Sequence, residues 1–302
     1  MDHLKRTIAR RKLQDRLFVV LGAAATLLGL LTLFILLAHL AIGGLSRIDW
    51  QFLTSYPSRF AYKAGLLSAL VGTLSIMVVT AATAVPMGIA AGVYLEEYAR
   101  KNWFTELIEI NIANLAGVPS IVYGLMALGL FVYQFSFGQT ILTAGLTLAF
   151  LILPIVIVTT REAIRAIPVA IREAAYALGA TKWQTVKHHL LPYSLSGIAT
   201  GVIIALSRAI GETAPLIILG ALTFIAFLPP SPVQAEAPYL SMEWLDSPYT
   251  VVPIQMFNWV SRPSATFHVN AAAAGLVLIV LTLSLNAAAI AVRYRTRKRI
   301  KW

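Results

Sequence analysis

The chain has 302 residues, a formal net charge of +11 and no cysteine, and 58% of its residues are hydrophobic against 12% charged. Without cysteine, disulfide frameworks, thiolate metal sites and cysteine nucleophiles are excluded. The mean hydropathy of +0.77 argues against a water-soluble domain, in which about a quarter of the residues are charged. We therefore expect an all-α integral membrane protein.

Charge-poor stretches predict six transmembrane helices, since one span needs roughly 20 apolar residues. They cover residues 17–42, 64–95, 110–160 (enough for two spans), 193–228, where only two charges interrupt, and 268–292. The first stretch is longer than the roughly 7–15 apolar residues of a signal peptide, so we expect it to be a retained span.

The distribution of basic residues predicts the topology. With six spans, 19 of the 24 Lys and Arg residues fall on the cytoplasmic side, as the positive-inside rule describes. The basic charge therefore indicates topology, and nucleic-acid binding is not expected. The predicted segments are a basic cytoplasmic N-terminus (1–16), a first span (17–42), a periplasmic segment (43–65), a five-helix core (66–292, with a cytoplasmic loop at 161–192 and a periplasmic loop at 229–267) and a basic cytoplasmic C-terminus (293–302).

Two short amphipathic helices are predicted beside the spans. After the second span, Trp103, Leu107 and Ile110 recur at helical spacing opposite Glu106 and Glu109, which indicates a helix on the cytoplasmic surface. On the outer side, the stretch "IQMFNWV" predicts a short helix that lies at the membrane interface.

The cytoplasmic loop has unusually clear helix signals. Pro168 can start a helix, and Gly179 suits a left-handed cap at its end. Thr181 can cap a second helix, which we expect to stop before Pro192. This second helix would present Trp183, Val186 and Leu190 on one side. The residues allow either a docking element or an ordered connector that packs under the bundle.

Arg208 and Glu212 lie within an otherwise apolar span. At 1.5 Å per residue, Arg208 would be about 15 Å inside the bilayer, where a charge costs at least ~2.5 kcal/mol. The i, i+4 spacing lets the two side chains pair. They would line a pathway or form a purely structural ion pair. Ser207, Thr213 and Asn114 could likewise donate hydrogen bonds along a pathway or join helices.

The stretch "EAAYALGATKWQTVKHHLLP" resembles the EAA loop of ATP-binding-cassette importer permeases. The resemblance is carried by Glu173, Ala174, Ala175, Gly179, Leu191 and Pro192, whereas His189 stands where that family has an apolar residue. It implies a loop that docks on a separate ATPase and transmits its motion, with the elbow at Gly179 and the second helix, including Trp183, making the contact.

Four further stretches together resemble the phosphate permease family PstA. They are "MGIAAGVYLEEYA", "NIANLAGVPSIVYGL", "SRAIGETAPLI" and "PIQMFNWVSRP". The resemblance implies a MetI-like bundle in the inner membrane and a phosphate importer. Its implied partners are a PstC-like second permease, a PstB-like ATPase dimer that binds ATP and Mg, and a PstS-like phosphate-binding protein.

This chain itself is not expected to be an enzyme or to bind a cofactor or metal, because it has no G-x-x-x-x-G-K-[ST] motif and no H-E-x-x-H motif. In the implied pathway, Arg208 would lower the barrier to an anion, since its planar fork suits tetrahedral oxyanions, and Glu212 would position that arginine. The alternatives are a permease for phosphonate, sulfate or molybdate, a secondary transporter, and a membrane scaffold or channel.

Overall fold

The computed structural model describes residues 2–234 and 239–297, and within these ranges every secondary-structure element of three or more residues is a helix. The first six helices are α1 (Asp2–Gly44), α2 (Trp50–Thr54), α3 (Leu67–Val93), α4 (Trp103–Leu115), α5 (Ser120–Ala127) and α6 (Ile141–Arg165). The next six are α7 (Val169–Ala177), α8 (Lys182–Thr185), α9 (Leu191–Gly211), α10 (Ala214–Ile218), α11 (Val252–Val260) and α12 (Ala265–Arg297). Wider π-helical turns extend α3 over Tyr94–Tyr98 and α5 over Leu128–Gln134, and Val186–Leu190 joins α8 to α9.

Five continuous helical segments in the described residues are long and apolar enough to cross a membrane. They are Arg10–Arg47, Leu67–Tyr98, Ile141–Arg165, Lys182–Gly211 and Ala265–Ala291. A sixth span is a bent pair, Trp103–Leu115 and Ser120–Gln134, whose axes meet at 105°. The all-α, multi-span fold is thus confirmed, although the third span is broken. Gly117 and Pro119 lie in the break, where proline restricts the residue before it.

The bundle is built on the packing of α3 against α6. Small residues let the two helices approach closely, as is typical of packing in membranes. A β-carbon on Gly92 would lie 2.7 Å from the Thr160 β-carbon. Helix α9 also packs against α6 and contributes Ala205 and Ala209 to the same buried cluster as Ile152.

Among the described side chains, helix α1 contacts this bundle near its C-terminal end. Gly44 lies against the backbone of Ala273 in α12, where a β-carbon would come within 2.5 Å of the Ala273 nitrogen. The large apolar side chains between Leu17 and Leu36 are exposed. The first span is therefore tied to the bundle at its C-terminal end, and its stretch from Leu17 to Leu36 presents an apolar surface.

The fifth span differs from its prediction at both ends. The second helix of the loop does not stop before Pro192 but continues into the fifth span, so that one helical segment runs from Lys182 to Gly211. The π-helical turn Val186–Leu190 accommodates Pro192, whose missing N–H falls in the first turn of α9. At the other end the helix stops at Gly211 instead of continuing toward 228, because the ring of Pro215 would clash with the preceding turn of a continuous helix.

The remaining segments agree with their predictions in part. Helix α4 is the predicted amphipathic helix, with Trp103 and Ile110 exposed. Helix α11 contains the predicted outer helix, but Ile254 and Trp259 are buried in the bundle instead of lying on an interface. The predicted C-terminal tail from residue 298 onward lies outside the described residues.

We expect Gly92→Val to destabilise the bundle, because the added side chain would collide with Thr160 and with the Ile157 carbonyl at 3.0 Å. Overpacking of this kind costs about 1–3 kcal/mol. Thermal unfolding of the detergent-solubilised protein measures the effect. Gly22→Val is the matched control, since nothing lies within 4 Å of its β-carbon position. Equal melting temperatures for the two variants would contradict this packing.

Candidate functional site

The cytoplasmic loop forms the predicted elbow. Helix α7 begins directly after Pro168, and Gly179 adopts a left-handed conformation with φ +81°. The Gly179 N–H donates to the Tyr176 carbonyl at 2.9 Å, which closes the end of α7. Thr181 then caps α8 in a reciprocal capping box with Gln184. The elbow thus follows from local backbone rules on both sides of one glycine.

The side chains of the elbow divide into a buried and an exposed set. Ala175, Val186 and Leu190 are buried against the bundle, whereas Trp183 is 57% exposed. Trp183, Val186 and Leu190 were predicted to share one face. Val186 and Leu190 of that face are buried, whereas Trp183 is exposed. Glu173 and Ala174 are exposed, and Leu191 and Pro192 are half-buried at the start of α9.

The first arm of the elbow is tied to the end of the second span by an ion pair that the sequence analysis missed. The Arg172 Nη2 atom lies 2.8 Å from the Glu97 Oε1 atom. The two side chains are only 16% and 7% exposed. They are separated by 75 residues in sequence, so helical spacing gives no sign of their contact.

A second set of ion pairs joins α6 to its neighbours at the same level. Arg161 contacts Glu109 of α4 at 2.7 Å, and Arg165 contacts Glu96 at 2.9 Å. The polar face of α4 therefore turns toward the bundle and its apolar face away from it, as expected for a helix beside lipid. The adjacent acidic residues of "YLEEY" at a span end were the available sequence signal for this cluster.

The predicted intramembrane pair is present. The Arg208 Nε atom lies 3.2 Å from the Glu212 Oε1 atom, and the two side chains are 39% and 18% exposed. Arg208 occupies the last turn of α9, and Glu212 is the residue that follows the helix, with an extended ψ of 125°. A cation in the last turn also interacts favourably with the helix dipole.

Arg208 lies about halfway along the bundle. Gly197 and Gly201 of α9 lie against Ala163 and Thr159 of α6, so the two helices are antiparallel. Arg208 follows Gly201 by seven residues, or about 10 Å along the axis. This is the level of Ile152, near the middle of Ile141–Arg165. The helix therefore ends at mid-depth, one turn beyond Arg208.

The other predicted pathway residues are not gathered around Arg208. The Ser207 hydroxyl lies 2.6 Å from the Ile203 carbonyl and 2.6 Å from the Asn286 Oδ1 atom of α12, and its one proton can be donated to either, so it contacts two helices. In the described residues Thr213 donates a long 3.4 Å bond to the Gly211 carbonyl. Asn114 is exposed near the end of α4, and no hydrogen bond in the described residues links its side chain to Arg208 or Glu212.

Helix α10, which follows the end of α9, packs against α5. Pro215 packs directly on Gly124 of α5, where a β-carbon would be 2.7 Å from the Pro215 α-carbon. Tyr123 of α5 donates to the Leu115 carbonyl at 2.9 Å and so holds the bend of the third span closed. The broken third span and the broken fifth span therefore meet near the same depth.

Comparison with known proteins gives a consistent result. Residues 84–301 match the family of binding-protein-dependent transport system inner membrane components. The chain is 35% identical over 214 residues to the probable ABC transporter permease protein YqgI of Bacillus subtilis, covering 70% of this chain and 72% of that protein. It is also 35% identical over 222 residues to the phosphate transport system permease protein PstA of Yersinia pestis, covering 72% and 74%.

The fold is similar to a solved structure of the MetNI methionine ABC transporter in an inward-facing conformation. The TM-score is 0.59 at 19% sequence identity, over 76% of this chain and 95% of that chain. At this identity the similarity concerns the fold alone.

Proposed function

Because the chain belongs to the family of binding-protein-dependent transport system inner membrane components, we propose that it is the membrane subunit of an ATP-driven importer of inorganic phosphate. Family membership confirms the assignment to importer permeases that the EAA loop predicted. The relatives are permeases and not enzymes. The chain therefore supplies the pathway and the coupling loop, and the chemistry belongs to another subunit.

The observation that carries the phosphate assignment is Arg208, a cation at mid-depth with its side chain 39% exposed. Charges within membranes are expensive and generally face a partner or a water-filled path. A guanidinium offers fixed donors that match the oxygens of a tetrahedral oxyanion. The similarity to proteins named phosphate transport system permease protein PstA supports this choice of anion.

The end of α9 at mid-depth supports a pathway at the same place. Backbone that leaves a helix within the membrane is tolerated only where protein covers it or where it lines a water-filled cavity. Gly211 is exposed in this chain. In our proposal a homologous second permease subunit covers one side of this region, and the anion passes on the other. Arg208 lowers the barrier to the anion and Glu212 positions Arg208.

The proposed assembly has four kinds of chain. A PstC-like permease pairs with this subunit, a PstS-like protein delivers phosphate outside, and a PstB-like ATPase dimer holds ATP and Mg inside. The elbow around Gly179 docks on the ATPase, with both termini of this chain in the cytoplasm. The exposure of Trp183 and the absence of a phosphate-binding loop motif in the sequence support this division of labour.

Uptake competition tests the substrate. In cells that lack other phosphate routes, we expect the complete complex to take up labelled phosphate, and excess unlabelled phosphate to block it. Excess sulfate, molybdate or a phosphonate should leave uptake unchanged, because these anions are the alternative substrates. Strong competition by one of them would replace phosphate with that oxyanion. Uptake without the co-expressed ATPase would indicate a secondary transporter or a channel.

Arg208→Gln is expected to reduce phosphate uptake roughly tenfold or more, since a change of about 1.4 kcal/mol in a barrier alters a rate tenfold. Arg208→Lys keeps the charge but loses the planar fork, so its uptake should be intermediate. The amount of assembled complex is measured beside uptake. Normal uptake by Arg208→Gln would show that the ion pair is only structural.

Gly179→Val is expected to separate ATP hydrolysis from transport. Its φ of +81° is unfavourable for an L-residue by roughly 1–2 kcal/mol, so the elbow would distort. Gly179→Asn is the matched control, because asparagine tolerates the left-handed region. Reconstituted complexes are assayed for phosphate moved per ATP hydrolysed. A wild-type ratio for Gly179→Val would refute the role of the elbow.

A further inference from the structure

Three consecutive residues at the end of the second span each contact a cation from a different part of the cytoplasmic region. Glu96 binds Arg165 at the end of α6. Glu97 binds Arg172 of α7. The Tyr98 ring lies 5.1 Å from the Lys182 ammonium at the start of α8. Both arms of the elbow are thus fastened to the π-helical turn Tyr94–Tyr98.

Arg172 makes the most extensive of these contacts. Its Nε and Nη2 atoms donate to the Glu97 Oε1 atom at 3.0 and 2.8 Å. Its Nη1 and Nη2 atoms donate to the carbonyls of Ile167 and Ile164, both at 3.1 Å. One guanidinium therefore joins α7, the end of α6 and the end of the second span. Arginine is suited to this because its five donors have a fixed geometry.

Apolar packing next to the ion pairs makes the junction between the elbow and the second span stiff. Val93 of α3, Ile164 of α6 and Ile167 form one buried cluster with Val186 and Leu190 from the start of the fifth span. Beyond the cluster, on the side away from the ion pairs, α3 and α6 continue in close contact with each other. A displacement of the elbow can therefore be transmitted into the membrane along two helices, the continuous fifth span and the second span.

We infer that Glu97 and Arg172 are positioning residues that bind the coupling loop to the second span, so that the ATPase moves the second and fifth spans together. The inference rests on the proposed function. The π-helical turn is suited to this movement, because such turns commonly mark functional sites in helices. Breaking the pair would leave the elbow intact but weaken its connection to the second span.

Reconstituted full complexes test this inference with two measurements. The first is phosphate transported per ATP hydrolysed. Glu97→Gln and Arg172→Gln should each lower this ratio roughly fivefold or more. Fivefold is about the lower end of the factors by which two coupled sites typically affect each other. The double variant should be no worse than either single variant, because residues that act as one unit are not additive. Glu162→Gln is the matched control, since the ion pair of Glu162 in the described part of the chain is an exposed one with Arg165 at 3.5 Å.

The second measurement is hydrogen exchange in the complex with and without ATP, which needs no transported substrate. In the wild type, ATP should change exchange in both Val169–Ala177 and Tyr94–Tyr98. In Glu97→Gln the change in Tyr94–Tyr98 should be lost and the change in α7 retained.

Either of two results would overturn the inference. One is a wild-type complex in which ATP alters exchange in α7 but not in Tyr94–Tyr98, which requires no variant to assemble. The other is a Glu97→Gln complex with the wild-type transport ratio. A wild-type complex that hydrolyses ATP but moves no phosphate would contradict the proposed function instead, and the exchange measurement would still decide the role of Glu97.

Discussion

The close contact between α3 and α6 holds the functional parts of this chain in place. In a membrane no hydrophobic force drives helices together, so packing between small residues has to supply the attraction. Gly92 against Thr160 and Gly145 against Val79 place the two backbones in near contact at two levels of the pair. Helix α4, the elbow and the start of the fifth span are attached to the end of this pair where Val93, Arg161 and Ile164 lie.

The charges of the chain follow from the same constraint. Ionic contacts within the described residues lie mostly at helix ends, where Arg161, Arg165 and Arg172 meet carboxylates of α3 and α4. A half-buried ion pair contributes little net stability once desolvation is counted. Its use here is geometric, since it fixes the orientation of one helix end relative to another. Such contacts suit a region that transmits movement better than one that only has to remain folded.

The features that could be predicted from the sequence are those set by local rules or by the bilayer. Charge-free stretches give the spans, and Gly179 and Thr181 give the elbow, because one residue type decides each. Contacts across the fold could not be predicted in this way. Arg172 and Glu97 are distant in sequence, and Ser207 finds Asn286 on another helix. The helix was wrongly predicted to stop before Pro192, because the wide π-helical turn Val186–Leu190 accommodates this proline within the helix.

The end of α9 changes the physical meaning of Arg208 and Glu212. Inside a continuous span they would be two charges that merely neutralise each other. At a helix end, Arg208 also faces the partial negative charge of the last carbonyls, while Glu212 lies on extended backbone outside the helix. The arginine is therefore held by two negative partners, and only Glu212 can change its position without unwinding a helix. In our proposal this is how Glu212 positions Arg208 at the end of the helix.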